Sequence, residues 1–250
     1  MMKSFNVLTT FPQIFEALNY SIVKKAIDSG FVETNILNIR DYANNKNKNT
    51  DDYPYGGGLG MIMTCQPIVS SLDMLKDKGY VIYMSPKGTP LTQDKAVQLS
   101  KNKTITIICG RYEGIDQRII DNYIDEEISI GDYVLTGGEL PAMVLIDTIT
   151  RLEPGVLKEE AYIDESHYNG LLEHCQYTRP SKFEGFKTPD ILLSGNHKLI
   201  EEYKLESSLV ETYLKRKDLL LKRGISKIEA EILIKNFSDK KDDIIKLIKE

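Results

Sequence analysis

Apolar residues recur along this chain with two alternating periods. Residues 4–9, 31–39, 80–84, 104–109 and 125–128 form short apolar or alternating runs rich in β-branched types, which predict strands. Between them, residues 14–27, 66–76, 92–100, 115–123 and 139–151 carry apolar positions three and four apart, which predict amphipathic helices. Ile14, Phe15, Leu18, Ile22, Val23 and Ala26 share a face in the first of these, which Gly30 ends. The helix over 139–151 is apolar around a wide arc (Leu140, Met143, Val144, Ile146, Ile149) and is expected to be buried. Strand and helix in alternation predict an α/β fold: a mostly parallel sheet with helices on both faces. Residues 40–60 are polar and glycine-rich and read as one long loop, a length that points to function or mobility. Residues 157–180 are irregular and polar. Helical spacing then resumes over 197–204, 209–221, 227–236 and 239–249, a small all-helical C-terminal domain. The domain reading is therefore 1–157, a linker over 158–180, and 181–250.

Three of the strands run into glycine-bearing loops. After Tyr83 and Met84 come Ser85, Pro86, Lys87 and Gly88; after Cys109 come Gly110, Arg111, Tyr112, Glu113 and Gly114. After Ser129 come Ile130, Gly131, Asp132, Tyr133, Val134, Leu135, Thr136, Gly137 and Gly138, with Glu139, Leu140 and Pro141 opening the next helix. Glycine lets main chain approach a ligand closely or take positive φ. Proline fits the first turn of a helix. Open α/β sheets bind ligands at the carboxyl ends of their strands, so three such loops are expected to line one pocket. A tight strand-to-helix turn accounts for the glycines equally well. Gly56, Gly57, Gly58 and Gly60 do not directly follow a predicted strand and lack dinucleotide-fingerprint spacing, which disfavours a Rossmann-type oxidoreductase.

Charge changes the picture in one respect. The chain of 250 residues has a net charge of −5, which argues mildly against nucleic acid. From Gly170 onward, however, 16 Lys and Arg stand against 14 Asp and Glu, while the preceding part holds 16 against 23. A locally basic C-terminal part can still meet phosphates. Cys65, Cys109 and Cys175 are odd in number and far apart, and His167, His174 and His197 lack zinc-site spacing, so neither a disulfide framework nor a metal centre is expected. No apolar run is long enough to span a membrane, and the first residues lack a signal-peptide pattern; a cytoplasmic location is expected.

The three loops resemble those of bacterial tRNA (guanine-N1)-methyltransferase. So do Pro54 to Met61, Pro154 to Leu157, Gly170-Leu171-Leu172, Tyr177 to Pro180 and Leu193 to His197, in order along the whole chain. The resemblance implies methyl transfer from S-adenosylmethionine to N1 of the guanosine just 3′ of the anticodon. It also implies a deep trefoil knot in the cofactor region, which physical priors alone disfavour. It further implies a homodimer whose active site draws on both subunits, and magnesium as an aid to catalysis. Its cofactor residues fall here on Tyr83, Met84, Ser85, Pro86, Gly88, Gly110, Tyr112, Glu113, Ile130, Gly131, Asp132, Tyr133, Val134, Leu135, Gly137, Gly138 and Pro141. Its RNA-binding segment falls on Asp51, Tyr55 and Gly58. Ser166, Asn196, Lys215 and Arg216 are further RNA candidates, although basic pairs on helices are commonly just solvated.

N1 of guanine carries a proton at neutral pH. Methylating it calls for a carboxylate near N1 and a cation or donor facing O6, where charge builds. By position Arg151 reads as a cation complementing a helix C-terminus. As the last residue of the buried helix that starts at Glu139, it can be held near the glycine loop. By resemblance it falls on the family's catalytic arginine. The family's catalytic aspartate precedes Gly-Leu-Leu. Counting back from Gly170 places Glu165 there, and counting forward from Arg151 places Asp164 there; both are candidate bases. Two other readings stand beside this one: a related knotted methyltransferase acting on another RNA, and a tRNA-binding protein without catalysis.

Overall fold

The run Thr104–Cys109 is buried at every residue, as a parallel strand covered on both faces must be. It lies at the centre of a five-stranded sheet. The strands are β1 (Lys3–Thr9), β2 (Val32–Asn38), β5 (Tyr80–Pro90), β6 (Thr104–Cys109) and β7 (Glu126–Ser129), in the order β2-β1-β6-β5-β7. Every pairing between them is parallel. Two short strands, β3 (Asp51–Asp52) and β4 (Ile62–Met63), form a separate antiparallel ladder. The computed structural model describes residues 2–158, 165–167 and 169–249.

Alternate residues of each strand enter two different cores. Phe5, Val7, Ile82, Met84, Ile105, Ile107 and Ile128 pack against α1 (Ser21–Asp28), α3 (Gln93–Leu99) and α5 (Glu139–Thr150). Leu8, Val81, Tyr83 and Ile108 pack against α2 (Cys65–Asp73) and α4 (Gln117–Tyr123). The two-residue period of a strand therefore feeds helices on both faces of the sheet, as the sequence led us to expect. Each fully buried aliphatic side chain contributes about 1.5–3 kcal/mol of burial free energy.

Two expectations for this unit need correction. The single helix over 14–27 is in fact a 3₁₀ helix, Pro12–Asn19, followed by α1. Tyr20 is extended and Ser21 takes φ 59° between them. The buried residues show why: Leu18 and Val23 are five apart, a step that rotates off one helical face, so the chain breaks and restarts. The long loop over 40–60 is also partly ordered. It begins in a 3₁₀ turn, Ile39–Tyr42, and its far end pairs through β3 and β4, where Met63 is buried.

The chain divides into Met1–Glu159 and Glu160–Glu250. The second unit has α6 (Asp190–Leu193), α7 (His197–Lys215), α8 (Lys217–Arg223), α9 (Lys227–Asn236) and α10 (Lys241–Ile245). Its core gathers Leu171, Leu209, Leu220, Ile225, Ala230, Leu233, Ile244 and Leu247. Leu171 belongs to that core, and Leu172 N–H donates to Thr212 Oγ1 at 2.8 Å. The described part of 158–180 that follows Glu165 thus packs into this unit. The unit is not all helical: β8 (Lys182–Phe183) and β9 (Phe186–Lys187) form a hairpin. Glu184 and Gly185 turn it with φ 49° and 93°, the left-handed pair that suits a two-residue hairpin turn. The helices expected over 197–204 and 209–221 are one continuous α7, and the break falls at Arg216, where φ is −144°. Ser207 and Ser208 continue the helix; the Ser207 hydroxyl accepts from Cys175 N–H at 2.9 Å.

Candidate active site

Residues 83–87, which lie within β5 rather than in the loop expected after Met84, surround one cleft of about 330 Å³ together with the loops after β6 and β7, the size of a small-molecule site. Tyr83, Met84, Ser85, Pro86, Gly110, Tyr112, Glu113, Ile130, Gly131, Tyr133, Val134, Leu135, Gly137, Gly138 and Pro141 all line it. Gly88 and Asp132 do not. Gly88 serves the strands instead: a Cβ there would collide with the main chain between Glu127 and Ile128. Its absence lets β5 re-pair with β7 at Thr89 and Pro90 after an irregularity at Met84.

The glycines that line the cleft also pack closely against the protein itself. A Cβ on Gly138 would stand 2.8 Å from Cys109 Cα, and one on Gly110 would stand 2.7 Å from the Tyr83 hydroxyl. These glycines let loop pack on strand end; from sequence alone, that need looks the same as close approach to a ligand. Gly138 N–H donates to Gly110 C=O at 2.9 Å, and Arg111 bridges Gly137. Tyr112 holds φ 57° with its ring half exposed at the cleft. A left-handed non-glycine residue stores strain of the kind that functional loops hold.

A buried charged network fixes the third loop. Glu139, the first residue of α5, is 2% exposed. Its carboxylate accepts from Arg111 Nε at 3.2 Å and from Thr9 Oγ1 at 2.9 Å. Arg111 also donates through Nη1 to Thr136 C=O at 3.3 Å and lies 4.3 Å over the Phe11 ring. Arg111 lines the cleft and was not among the expected residues, although its place between Gly110 and Tyr112 marked it. Glu127, which lines the cleft, was missed as well: its Oε2 is sealed from solvent and accepts no hydrogen bond from any described residue. Burial, and next the Glu127 charge, push the Tyr83 phenol up to about 12.

The expected RNA-binding loop is tied to the rim of the cleft. Glu113 N–H donates to Met61 C=O at 3.0 Å, Met63 N–H to Gly114 C=O at 2.9 Å, and Asp116 N–H to Met63 C=O at 3.0 Å. Asp51 sits in β3, Tyr55 is fully exposed, and Gly58 takes φ 134°.

Arg151 stands at the opposite end of α5 from Gly138. It caps the C-terminus of α5, donating its N–H to Asp147 C=O at 3.1 Å. The 12 residues of α5 separate it from Gly138 by about 18 Å at 1.5 Å per residue.

In the second unit, Ser166 Oγ accepts from Glu173 N–H at 2.9 Å, and Asn196 caps α7 through Leu199 N–H at 3.3 Å. Lys215 pairs with Glu211, and Arg216 grips Asp218 at 2.8 and 2.6 Å. Glu165 belongs to this unit; Asp164 lies outside the described residues. No three His, Cys, Asp or Glu side chains among the described residues converge as a metal-holding group. No helix among the described residues is long and apolar enough to cross a membrane.

Residues 2–222 match the family model described as tRNA (Guanine-1)-methyltransferase TrmD. The chain is 54% identical over 224 residues to the tRNA (guanine-N(1)-)-methyltransferase of Ruminiclostridium cellulolyticum, spanning 87% of this chain and 96% of that relative. It is 52% identical over 221 residues to the protein of the same name from Finegoldia magna, spanning 87% and 95%. It is 50% identical over 236 residues to that from Clostridium novyi, spanning 93% and 98%.

Proposed function

The chain belongs to the tRNA (guanine-1)-methyltransferase family and methylates N1 of a tRNA guanine; from that premise we propose that its cleft holds S-adenosylmethionine and that its target is the guanosine 3′ of the anticodon. The observation that carries the first part is the convergence of the irregular stretch of β5 over residues 83–87 and the two glycine-bearing loops after β6 and β7 on one cleft. Main-chain groups of Ile130, Gly131, Tyr133 and Leu135 face the adenine there. Met84, Ser85, Pro86, Tyr112 and Glu113 line the ribose and methionine side. When bound, the cofactor supplies an electrophilic methyl group on a sulfonium.

The protein's own part is position and proton management. Glu165 takes the N1 proton, with Asp164 the alternative base, and Arg151 faces O6 as negative charge gathers on it. The target base leaves its stack for N1 to reach the methyl group. The length of α5 that separates Arg151 from the glycine loop supports a homodimer in which a second copy completes each site. Tight packing of Gly88 and Gly138 against neighbouring main chain accords with a deep trefoil knot in this region. The first unit binds cofactor; the second, with 158–180 leading into it, binds tRNA through groups such as Lys215 and Arg216. Phosphates would there replace Glu211 and Asp218 as partners. We place the enzyme in the cytoplasm.

Labelled methyl incorporation into tRNA transcripts tests the reading. Label should enter a transcript with guanosine 3′ of the anticodon and not one with adenosine there. Equal labelling of both, or labelling of neither, would overturn the target assignment.

A further inference from the structure

The cleft lining holds a charged group that the mechanism above leaves unused. Glu127 on β7 is the register partner of Tyr83 on β5, so the two side chains leave the sheet on the same face. Gln117 and Ile120 of α4 line the cleft on that side with them. Glu127 Oε2 is sealed from solvent and no described residue donates to it. The Tyr83 hydroxyl oxygen accepts from the main chain of Ile115, and this hydroxyl does not donate to Glu127 Oε2. The cation Arg111 is engaged by Glu139 and Thr136. A buried acceptor without a donor carries its full desolvation cost, and such a group calls for an explanation.

We propose that Glu127 is a cofactor-binding residue: its carboxylate accepts a hydrogen bond from a donor group of the methyl donor bound in the cleft. This rests on the reading of the cleft as the S-adenosylmethionine site. The terminal torsion of glutamate is broad and soft, so the sealed oxygen can turn toward a ligand without rearranging β7. The cofactor presents three kinds of donor: the adenine amine, the ribose hydroxyls and the amino-acid ammonium. Each satisfies the same acceptor, and analogues that lack one part separate them.

The chain contains no tryptophan, so Tyr133→Trp places a single indole at the cleft. In that background, binding of S-adenosylmethionine, S-adenosylhomocysteine and methylthioadenosine is followed by calorimetry and indole fluorescence, with and without Glu127→Leu. Glu127→Gln, which keeps one acceptor, serves as a second variant, and circular dichroism melting verifies folding. Glu127→Leu should weaken S-adenosylmethionine and S-adenosylhomocysteine by about 10–100-fold, the range for a hydrogen bond to a charged group, and Glu127→Gln by less. An equal loss for methylthioadenosine assigns the adenosine half; an unchanged methylthioadenosine affinity assigns the ammonium. Unchanged affinity for all three in folded Glu127→Leu would overturn the inference, as would a loss confined to S-adenosylmethionine, which signals sulfonium charge rather than a hydrogen bond. If calorimetry shows binding while the indole stays silent, the cleft reading itself falls and takes this inference with it.

Discussion

Replacing Arg111 by methionine would strand the Glu139 carboxylate, which is 2% exposed. It would remove the donor that lies 3.2 and 3.1 Å from the two carboxylate oxygens and leave only the Thr9 hydroxyl at 2.9 Å. Removing one partner of a buried ion pair costs about 3–5 kcal/mol, because the remaining charge stays desolvated. Loss of the contact over Phe11 adds about 0.5–1 kcal/mol. Small domains are stable by about 5–15 kcal/mol, so Arg111→Met should still fold but melt lower. For a unit of 150 or more residues each kcal/mol shifts melting by about 2–4 °C, which gives a drop of roughly 7–24 °C. The double variant Arg111→Met/Glu139→Leu should recover most of that loss, since an apolar pair of similar volume replaces an ion pair at little cost. Urea unfolding followed by circular dichroism on the two single variants and the double variant gives the coupling energy. A single-variant loss below about 1 kcal/mol, or a double variant no better than Arg111→Met, would refute a buried pair that fixes this loop.

Glu165→Gln should slow single-turnover methyl transfer by about 10²–10⁴-fold with cofactor and tRNA binding nearly intact, while Asp164→Asn stays mild; the reverse ranking moves the base to Asp164. Burial, aided by Glu127, raises the Tyr83 phenol from 10.0 to about 12. The folded state thus favours the neutral phenol: this contribution is whole below pH 10 and is lost as pH rises toward 12. Tyr83→Phe should flatten the alkaline limb of a stability–pH profile, and an unchanged limb would contradict it. Cys109 is fully buried, and burial raises its thiol well above the ordinary range. A maleimide reagent should therefore modify Cys65 and Cys175 in the native protein and spare Cys109; rapid labelling of Cys109 would contradict its place in the core.

The sheet was readable because runs such as Thr104–Cys109 are apolar and β-branched throughout, which a strand buried on both faces requires. The cleft was readable because the chain carries glycine where β6 and β7 end, although β5 runs on through Gly88 to Pro90. That Gly138 and Gly88 must also spare neighbouring main chain was not readable, since sequence shows only the missing Cβ. The distance of Arg151 from Gly138 comes from the 12 residues of rigid helix between them; the sequence shows that length but not which group meets Arg151. The hairpin over Lys182–Phe183 and Phe186–Lys187 escaped notice because its two-residue strands are too short to show alternation, although Glu184-Gly185 marked the turn. Glu127 was hidden in a strand where charge reads as an exposed edge; only the neighbouring helix and loops seal its oxygen.

The central claim is that one chain holds the cleft while Arg151, a helix length away, needs a second chain to complete a site. Mixing Arg151→Ala protein with a cleft-defective Tyr112→Ala/Glu113→Ala protein tests it most directly, with chain exchange verified by labelled subunits and methyl transfer to tRNA measured before and after mixing. Each parent should be inactive, and the exchanged mixture should regain up to about half of wild-type activity per mixed dimer, because one of its two sites carries both intact groups. Zero activity after proven exchange would contradict a shared site.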